Sequence, residues 1–277
     1  MNERPRVVGL VAHRDRADAQ QLAARAEERL RACDVTVRRW DGEDGVQFSD
    51  GLDLAISLGG DGTMLLTVDL VYESGTAVLG VNVGHLGYLT EVEPAELDAA
   101  LDRLLAGDFT VTERMVLQVV VHSAGPADGH WWALNEAVLE RVEPGRIVQL
   151  SVDINGSFFT TYAADGVIVA TPTGSTAYSF SARGPIVSPR HRCLLLTPVS
   201  PHMLFDRSLV LDDEEELRFA VTNAQAAVLT IDGREIGELG VGDTVTCTGG
   251  RRSARIVTLE PRDFHQILKA KFGLADR

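Results

Sequence analysis

Cysteine is scarce in this sequence, with three residues in 277, at Cys33, Cys193 and Cys247. They lie far apart and form no metal-binding pair, so free thiols in a reducing cytoplasm are expected. No apolar run is long enough to span a bilayer, and the first residues lack the apolar segment of a signal peptide. We therefore expect a cytoplasmic protein that does not insert into a membrane.

Basic residues are also few, because 26 Lys and Arg stand against 40 Asp and Glu, for a formal net charge of −14. Nucleic-acid binders need basic residues to neutralise phosphates, so a nucleic-acid partner is not expected. The same acidity disfavours an anionic membrane surface. A nucleotide substrate stays possible, because backbone amides can hold phosphate locally.

Several common site signatures are missing. There is no Gly-x-x-x-x-Gly-Lys-Ser/Thr loop, no Gly-x-Gly-x-x-Gly after a strand, and no Gly-x-Ser-x-Gly nucleophile turn. The seven histidines are scattered without metal-ligand spacing. The sequence therefore predicts no dedicated metal site of its own.

The apolar pattern divides the chain into an α/β domain and a β-rich domain. Over residues 1–107, short buried strands alternate with amphipathic helices, which predicts a doubly wound parallel sheet. Over residues 108–259, short alternating segments are separated by turn residues, which predicts a β-sandwich-like domain. Asn155-Gly156 is a hairpin signal within it, and Phe264–Phe272 is predicted to be helical.

The most informative stretch is Gly59-Gly60-Asp61-Gly62-Thr63, between the apolar runs 52–57 and 64–72. This pattern predicts a strand, a glycine turn and a helix, whose first amides and positive dipole end suit phosphate. A carboxylate beside phosphate is unfavourable unless a metal bridges them or it takes part in chemistry. Phosphoryl transfer with Asp61 as base or metal ligand is therefore the first hypothesis. These residues alone are equally compatible with a simple turn in which Asp61 bonds its own backbone.

A second polar cluster runs from Asp165 to Ser181. Its Thr171–Thr176 turn supplies four hydroxyls ahead of Ala177-Tyr178, where amides and hydroxyls could bind a nucleotide and Tyr178 could stack on a base. In isolation, an ordinary helix cap is the favoured interpretation. Asn135-Glu136 interrupts an apolar run, and in a regular strand the two side chains would point to opposite faces. If both contact one ligand, the strand must end or bulge there.

Taken together, these motifs resemble the NAD kinase family in its bacterial form. The first glycine motif is shared with diacylglycerol-type lipid kinases and phosphofructokinases. The Thr171-Pro172-Thr173-Gly174-Ser175-Thr176-Ala177-Tyr178 block separates NAD kinases from those relatives. Other matching segments are Val78–Asn82, Gly84–Leu89, Asn135-Glu136, Asp165-Gly166, Thr197-Pro198 and Pro201-His202.

The resemblance implies transfer of phosphate from ATP to the 2′-hydroxyl of the adenosine ribose of NAD, which gives NADP. It implies Mg²⁺ or another divalent cation arriving with ATP, and a homodimer or homotetramer. It also implies that the β-rich domain holds NAD and mediates oligomer contacts, and that the segment 260–277 packs back on the first domain.

The resemblance also implies roles for individual residues. Asp61 is the general base, and Gly59, Gly60 and Gly62 let the loop hold the ATP phosphates. Asn135 and Glu136 contact the NAD ribose and phosphates, and Arg146 matches a basic NAD-contacting position in a turn of variable length. The residues implied to line the adenine and nicotinamide pockets, or to belong to the same nucleotide-binding turn, are Asp165, Thr173, Thr176, Ala177, Tyr178 and Ser181.

Two positions depart from the family pattern. Ala163 stands where many relatives carry a polar or charged residue, which leaves the choice between NAD and NADH open. Arg183 replaces a usual glycine. Two other functions stay open at this point: a lipid or other small-alcohol kinase of the same superfamily, and a non-catalytic NAD-binding regulator.

Overall fold

The computed structural model describes residues 2–43, 45–84, 87–260 and 263–274, so His85 and Leu86 of the Gly84–Leu89 motif lie outside the described residues. The chain divides into two compact units, residues 1–113 with 254–277, and residues 114–253. The sequence placed these boundaries at 107/108 and 259/260. The difference arises because strands Thr110–Arg114 and Ala254–Thr258 join the sheet of the first unit.

The first unit begins as alternating strands and helices, as the sequence pattern predicts. These elements are β1 (Val7–Ala12), α1 (Ala17–Ala32), β2 (Thr36–Arg39), α2 (Gly45–Ser49), β3 (Leu54–Gly59), α3 (Asp61–Val71), β4 (Ala77–Asn82), α4 (Leu97–Leu105) and β5 (Thr110–Arg114). Every residue of β3 and β4 is buried, as expected for strands with both faces covered. Helix α1 buries the residues of one face against the sheet: Ala19, Ala23, Ala26 and Leu30.

The second unit is built from strands that pair in antiparallel fashion. Its elements are β6 (Leu117–His122), β7 (Gly129–Ala133), β8 (Glu136–Arg141), β9 (Val148–Ile154), β10 (Ser157–Ala164), β11 (Gly166–Ala170), α5 (Tyr178–Ser181), β12 (Cys193–Val199), β13 (Leu209–Asp212), β14 (Leu217–Val221), β15 (Ala227–Ile231), β16 (Arg234–Leu239) and β17 (Thr244–Gly249). The chain then returns to the first unit with β18 (Ala254–Thr258) and α6 (Phe264–Phe272).

The sheet of the first unit has the order β2-β1-β3-β4-β18-β5. Its β2/β1, β1/β3, β3/β4 and β4/β18 pairs are parallel. Because β2 lies on one side of β1 and β3 on the other, the strand order reverses at β1. In open parallel sheets, ligands bind outside the carboxyl ends of the strands at such a reversal. The loops that leave β1 and β3 are therefore where a site is expected.

The second unit contains two six-stranded sheets, ordered β10-β9-β14-β17-β6-β7 and β13-β12-β11-β8-β15-β16. One hydrophobic core joins them: Tyr162 and Phe219 of the first sheet pack in the same cluster as Leu139, Val169 and Leu196 of the second. Two antiparallel sheets sharing one core form a sandwich. The predicted fold, an α/β domain with a parallel sheet followed by a β-sandwich-like domain, is confirmed.

Two continuous segments of the sequence each form two separate strands in the structure. The segment 109–121 gives β5 and β6, which lie in different units, and the segment 131–141 gives β7 and β8, which lie in different sheets. The second break falls at Leu134-Asn135, where the carboxylate of Asp232 accepts the backbone N–H groups of Leu134, Asn135 and Glu136 at 2.7, 2.8 and 3.1 Å. These bonds replace ladder bonds and end the strand. Among the described residues, no helix has both the length and the apolarity needed to cross a membrane.

Candidate functional site

The glycine turn after β3 leads directly into α3, whose first residue is Asp61. Gly59 packs under this helix start, because a Cβ there would lie 2.2 Å from Thr63 Oγ1. A Cβ at Gly60 or Gly62 would meet no atom within 4 Å. Gly60 and Gly62 instead line a cavity, so their bare backbone lets a ligand approach the first amides of α3.

This cavity lies at the strand-order reversal of the first unit and has a volume of about 660 Å³. Loop residues that follow β1, including Arg14 and Arg16, line it together with Gly60 and Gly62. The Arg14 guanidinium carbon lies 4.9 Å from the centroid of the Trp40 ring, which also borders the cavity. The Arg16 guanidinium is paired with Asp18 at 2.7 Å, and Asp15 also lines the cavity. Arg14 and the helix N-terminus therefore remain to offer positive charge and N–H donors, the combination that binds phosphate groups.

The Asp61 carboxylate is held by backbone amides from another loop. Its Oδ2 accepts the N–H of Tyr88 at 2.9 Å, and its Oδ1 accepts the N–H of Leu89 at 3.0 Å. A Cβ at Gly87 would lie 2.3 Å from Oδ1, so only glycine leaves room for the carboxylate. These bonds reach 27 and 28 residues along the chain, unlike the local turn that the motif alone left open. Each oxygen keeps a further lone pair, so a carboxylate of fixed orientation remains able to accept a proton.

Helix α6 brings a cation to the same loop. The Lys271 ammonium lies 3.8 Å from the centroid of the Tyr88 ring. Burial lowers the pKa of Lys271, and the negative charge of Asp61 acts against that shift. Burial and the Asp61 charge raise the pKa of Tyr88. Asp61, Tyr88 and Lys271 therefore form one electrostatically coupled group in the first unit.

In the second unit, the structure brings two of the sequence-predicted segments together. Thr171 donates its N–H to the Asn135 carbonyl at 2.9 Å and its hydroxyl to the Leu134 carbonyl at 2.6 Å. A Cβ at Gly174 would lie 2.2 Å from the Asn135 carbonyl oxygen, so the turn needs glycine to come this close. Thr173 is buried beside them, and Thr176 and Ala177 continue the turn.

Glu136 is the first residue of β8 and is buried. Burial, together with the nearby carboxylate of Asp232, raises the pKa of Glu136 to about 8, and a hydrogen bond with the backbone of Tyr178 acts in the opposite direction. Within the part of the chain that the structure describes, its Oε2 is buried and has no hydrogen-bond partner. A buried acceptor without a partner is costly, and a ligand hydroxyl could satisfy it.

Tyr178 and Asp165 extend this cluster along β8 and β11. Glu136 pairs with Ala170 and Glu140 with Gly166 in the antiparallel register. The Tyr178 hydroxyl hydrogen-bonds to Glu140, at the far end of β8 from Glu136. Burial and that bond raise the pKa of Tyr178 to about 12, so the phenol stays neutral at pH 7. Asp165 forms an ion pair with Arg141 at 2.7 Å.

Two predicted site residues lie at the margins. Arg146 stands in the exposed β8–β9 connection, where it pairs with Glu143 at 3.3 Å, and the described contacts do not join it to the cluster. Ser181 is the exposed last residue of α5. The predicted helix start at Thr171–Tyr178 is a three-residue 3₁₀ turn followed by α5, which has only four residues.

Arg183, which stands where the family usually has glycine, lies just after the end of helix α5. The N–H of Arg183 bonds to the Phe180 carbonyl at 2.9 Å, and the N–H of Gly184 bonds to the Ser179 carbonyl at 2.7 Å. This is the Schellman pattern at a helix end, in which the residue at the position of Arg183 adopts a left-handed conformation. Arg183 has φ +67°. Glycine is favoured there because it has no Cβ to crowd the backbone.

Arg183→Gly is therefore expected to raise the free energy of unfolding by about 0.5–1 kcal/mol. Replacing a residue that has a Cβ by glycine at a left-handed backbone position stabilises the folded state by roughly 1–2 kcal/mol. The greater conformational entropy of glycine in the unfolded chain offsets part of that gain. Urea unfolding followed by circular dichroism measures this. Arg183→Ala is the matched control, because it removes the guanidinium but keeps the Cβ. An equal gain in both variants would assign the effect to the side chain instead of the backbone.

Sequence reasoning missed some residues of both clusters. Arg14, Arg16 and Trp40 border the cavity of the first unit, and Asp232 and Glu140 hold the cluster of the second. A signal existed for the two arginines, because both lie in the loop that follows β1, the strand at which the strand order reverses. Asp232 has no comparable signal, since its contacts lie 96 to 98 residues away along the chain.

Comparison with known families assigns both parts of the chain. Residues 39–109 match the family model described as the ATP-NAD kinase N-terminal domain, and residues 134–259 match the ATP-NAD kinase C-terminal domain. NAD kinase from Moorella thermoacetica is 44% identical over 230 residues, covering 83% of this chain and 73% of that protein. NAD kinase from Citrifermentans bemidjiense is 36% identical over 261 residues, covering 94% and 91%.

Solved structures agree at the level of the fold. Yeast NADH kinase complexed with NADH has a TM-score of 0.90 at 24% identity, with 98% of this chain and 89% of that chain covered. NAD kinase from Archaeoglobus fulgidus in complex with ATP has a TM-score of 0.76 at 24% identity, with 96% of each chain covered. The resemblance identified from the motifs is confirmed: the chain belongs to the ATP-NAD kinase family, a family of ATP-dependent NAD kinases.

Proposed function

We propose that the protein transfers the γ-phosphate of ATP to the 2′-hydroxyl of the adenosine ribose of NAD, giving NADP and ADP. The observation that carries this proposal is the Asp61 carboxylate, which two backbone amides fix at the start of a helix that borders a cavity lined by Arg14 and Arg16. Asp61 takes the hydroxyl proton as that oxygen bonds to the γ-phosphorus. The bond from phosphorus to the bridging oxygen breaks, and ADP leaves with that electron pair.

The cavity of the first unit is proposed to hold the ATP phosphates. Phosphoryl transfer passes through an anionic transition state, and catalysis depends mainly on positioning and charge stabilisation. Arg14 and the amides at the start of α3 provide those donors, and Arg16, which is paired with Asp18, lies beside them. The Trp40 ring, already stacked against Arg14, offers an apolar face for a base or ribose. The structure of the Archaeoglobus fulgidus relative was solved in complex with ATP.

The divalent cation is proposed to enter as part of the substrate, as MgATP. Among the described residues, no group of three or more His, Cys, Asp or Glu side chains is placed to hold a metal ion. Mg²⁺ commonly binds through substrate phosphates and one or two carboxylates while keeping several waters. Such an ion neutralises charge on the phosphates and needs no cage built by the protein.

The cluster of the second unit is proposed to hold NAD. Asn135 and Glu136 lie at one end of the β8/β11 pair, with Asn135 against the turn that continues through Thr173 and Thr176, and Tyr178 runs from Glu136 toward Glu140. The unpartnered Oε2 of Glu136 is suited to accept a ribose hydroxyl. Asp165, Ala177 and Ser181 complete the implied nucleotide contacts, with Arg146 at the exposed margin. The structure of the yeast relative was solved with NADH.

The decisive experiment is formation of NADP from NAD and ATP by the purified protein, read out with an NADP-specific dehydrogenase. Turnover that requires ATP and a divalent cation is expected. Parallel reactions with a diacylglycerol and with other small alcohols test the superfamily alternative, which the family matches do not favour. NAD binding without any turnover would point to a non-catalytic regulator and would overturn the proposal.

We also propose that the chain assembles as a homodimer or homotetramer. Apolar side chains of the second unit are exposed, among them Phe158 and Leu204. Phe159 and Phe205 meet edge to face at 5.7 Å beside them. Apolar groups clustered on a surface mark association sites in soluble proteins.

A further inference from the structure

The last helix of the chain supplies a residue that the motifs did not point to. Helix α6 starts with Asp263 as its cap, which accepts the N–H of His265 at 2.9 Å, and ends with Gly273 in a left-handed conformation. Both ends are therefore defined by recognised capping arrangements. Lys271 stands in the last turn, with its side chain partly buried.

The Lys271 ammonium rests on the face of Tyr88 instead of pairing with a carboxylate among the described residues. The distance from Nζ to the ring centroid is 3.8 Å, well within the range of a cation–π contact. The backbone N–H of that same tyrosine donates to Asp61 Oδ2. Lys271 is thus connected to the carboxylate through a single residue.

The charges agree with this geometry. The titratable groups coupled to the charge of Asp61 in the described part of the loop and in α6 are Tyr88 and Lys271. A cation kept near this carboxylate partly offsets its repulsion of an incoming phosphate. It does so without forming a direct ion pair, which would occupy the lone pair needed for a proton.

We propose that Lys271 is a positioning residue for phosphoryl transfer: through Tyr88 it fixes the loop whose amides orient Asp61, and its charge lowers the repulsion between Asp61 and the phosphoryl group. This inference rests on the proposed function. It extends the reaction centre beyond the glycine motif to the C-terminal helix of the same unit.

Kinetics of five variants test the proposal: Lys271→Met, Lys271→Arg, Lys269→Met, Tyr88→Leu and the double variant Tyr88→Leu/Lys271→Met. Lys271→Met is expected to lower kcat roughly tenfold with little change in KM for NAD, and Lys271→Arg to stay within about threefold of wild type because it keeps a cation on the ring. Lys269→Met, on the same helix turn, is the charge-matched control and is expected to behave as wild type. The double variant Tyr88→Leu/Lys271→Met is expected to lose no more kcat than the more damaging of the two single variants, because Lys271 acts through Tyr88.

A measurement on the ligand-free protein separates this inference from the proposed function. Hydrogen exchange of the Tyr88 and Leu89 amides is expected to become about 2–5-fold faster in Lys271→Met, and to stay unchanged in Lys269→Met. If the wild-type protein makes no NADP, the proposed function fails. The exchange result still shows whether Lys271 holds the loop through its contact with Tyr88. Unchanged exchange, unchanged kcat in Lys271→Met, or additive losses in the double variant would each overturn the inference.

Discussion

Asp61→Asn is expected to lower kcat by roughly two to four orders of magnitude, while KM for NAD stays close to its wild-type value. A sugar hydroxyl is a weak nucleophile, and a positioned carboxylate that takes its proton contributes about that much. An amide of the same shape cannot accept the proton at neutral pH. Because the proposed NAD contacts come from the second unit, the ground-state affinity for NAD is expected to be retained. Steady-state NADP formation at saturating ATP measures both parameters.

The loop that holds the carboxylate requires a second variant. In Asp61→Asn, one of the two carboxylate oxygens that accept the N–H groups of Tyr88 and Leu89 becomes an NH₂ group. An NH₂ group donates and cannot accept, so the substitution also removes one of these two bonds. Gly87→Ala keeps the carboxylate but displaces it, since its Cβ would lie 2.3 Å from Oδ1. A much smaller loss in Gly87→Ala than in Asp61→Asn would show that the proton acceptor matters more than the loop geometry. Turnover of Asp61→Asn at the wild-type rate would exclude Asp61 as the base.

The parts of the fold that the sequence predicted are those set by local patterns. The glycine turn, its strand and its helix follow from an apolar run, three glycines and a second apolar run that are continuous along the chain. The hairpin at Asn155-Gly156 follows in the same way, because both residues adopt the positive φ that such a turn requires, at +51° and +74°. In each case the residues that form the structure are neighbours along the chain.

The parts that escaped prediction depend on contacts between distant residues. The break between β7 and β8 is caused by Asp232, which lies in the β15–β16 turn and has no link to Asn135 that sequence spacing could show. The bonds from Tyr88 and Leu89 to Asp61 join the loop after β4 to the first residue of α3. A periodic pattern carries no information about which distant amide a carboxylate will accept.

The arginines of the cavity lie between the features that local patterns predict and those that depend on distant contacts. Arg14 and Arg16 follow β1, and the order of strands around β1 places their loop next to the glycine turn. That strand order is a property of the whole sheet, but the handedness rules for parallel strands restrict it to a few possibilities. A topology argument made before the structure could therefore have named them, whereas residue spacing alone could not.

Glu136→Gln is expected to remove a pH dependence of stability that wild type shows between about pH 4.5 and 8. Burial raises the pKa of Glu136 in the folded protein to about 8, against an ordinary value of 4.5. Between those values the folded state keeps its proton and the unfolded state has lost it. Folding therefore takes up a proton, and stability from this group decreases as pH rises through this window.

The pKa shift of Glu136 sets the size of this change in stability. Each pKa unit corresponds to about 1.36 kcal/mol, so the contribution lost on going from pH 5 to pH 9 is on the order of 2–5 kcal/mol. Glutamine cannot ionise, so the free energy of unfolding of Glu136→Gln should rise relative to that of wild type as the pH increases from 5 to 9. Urea unfolding at pH 5, 7 and 9 in the absence of nucleotide measures this difference.

Glu140→Gln provides the matched control, since Glu140 lies on the same strand at partial exposure and hydrogen-bonds to Tyr178. That variant makes the same Glu-to-Gln change without relieving deep burial, so its difference from wild type should vary much less with pH. If Glu136→Gln instead followed the wild-type pH curve, Glu136 would be ionised in the folded protein. Its Oε2 would then need a donor in the free enzyme, and the argument that this oxygen awaits a ribose hydroxyl would fall with it.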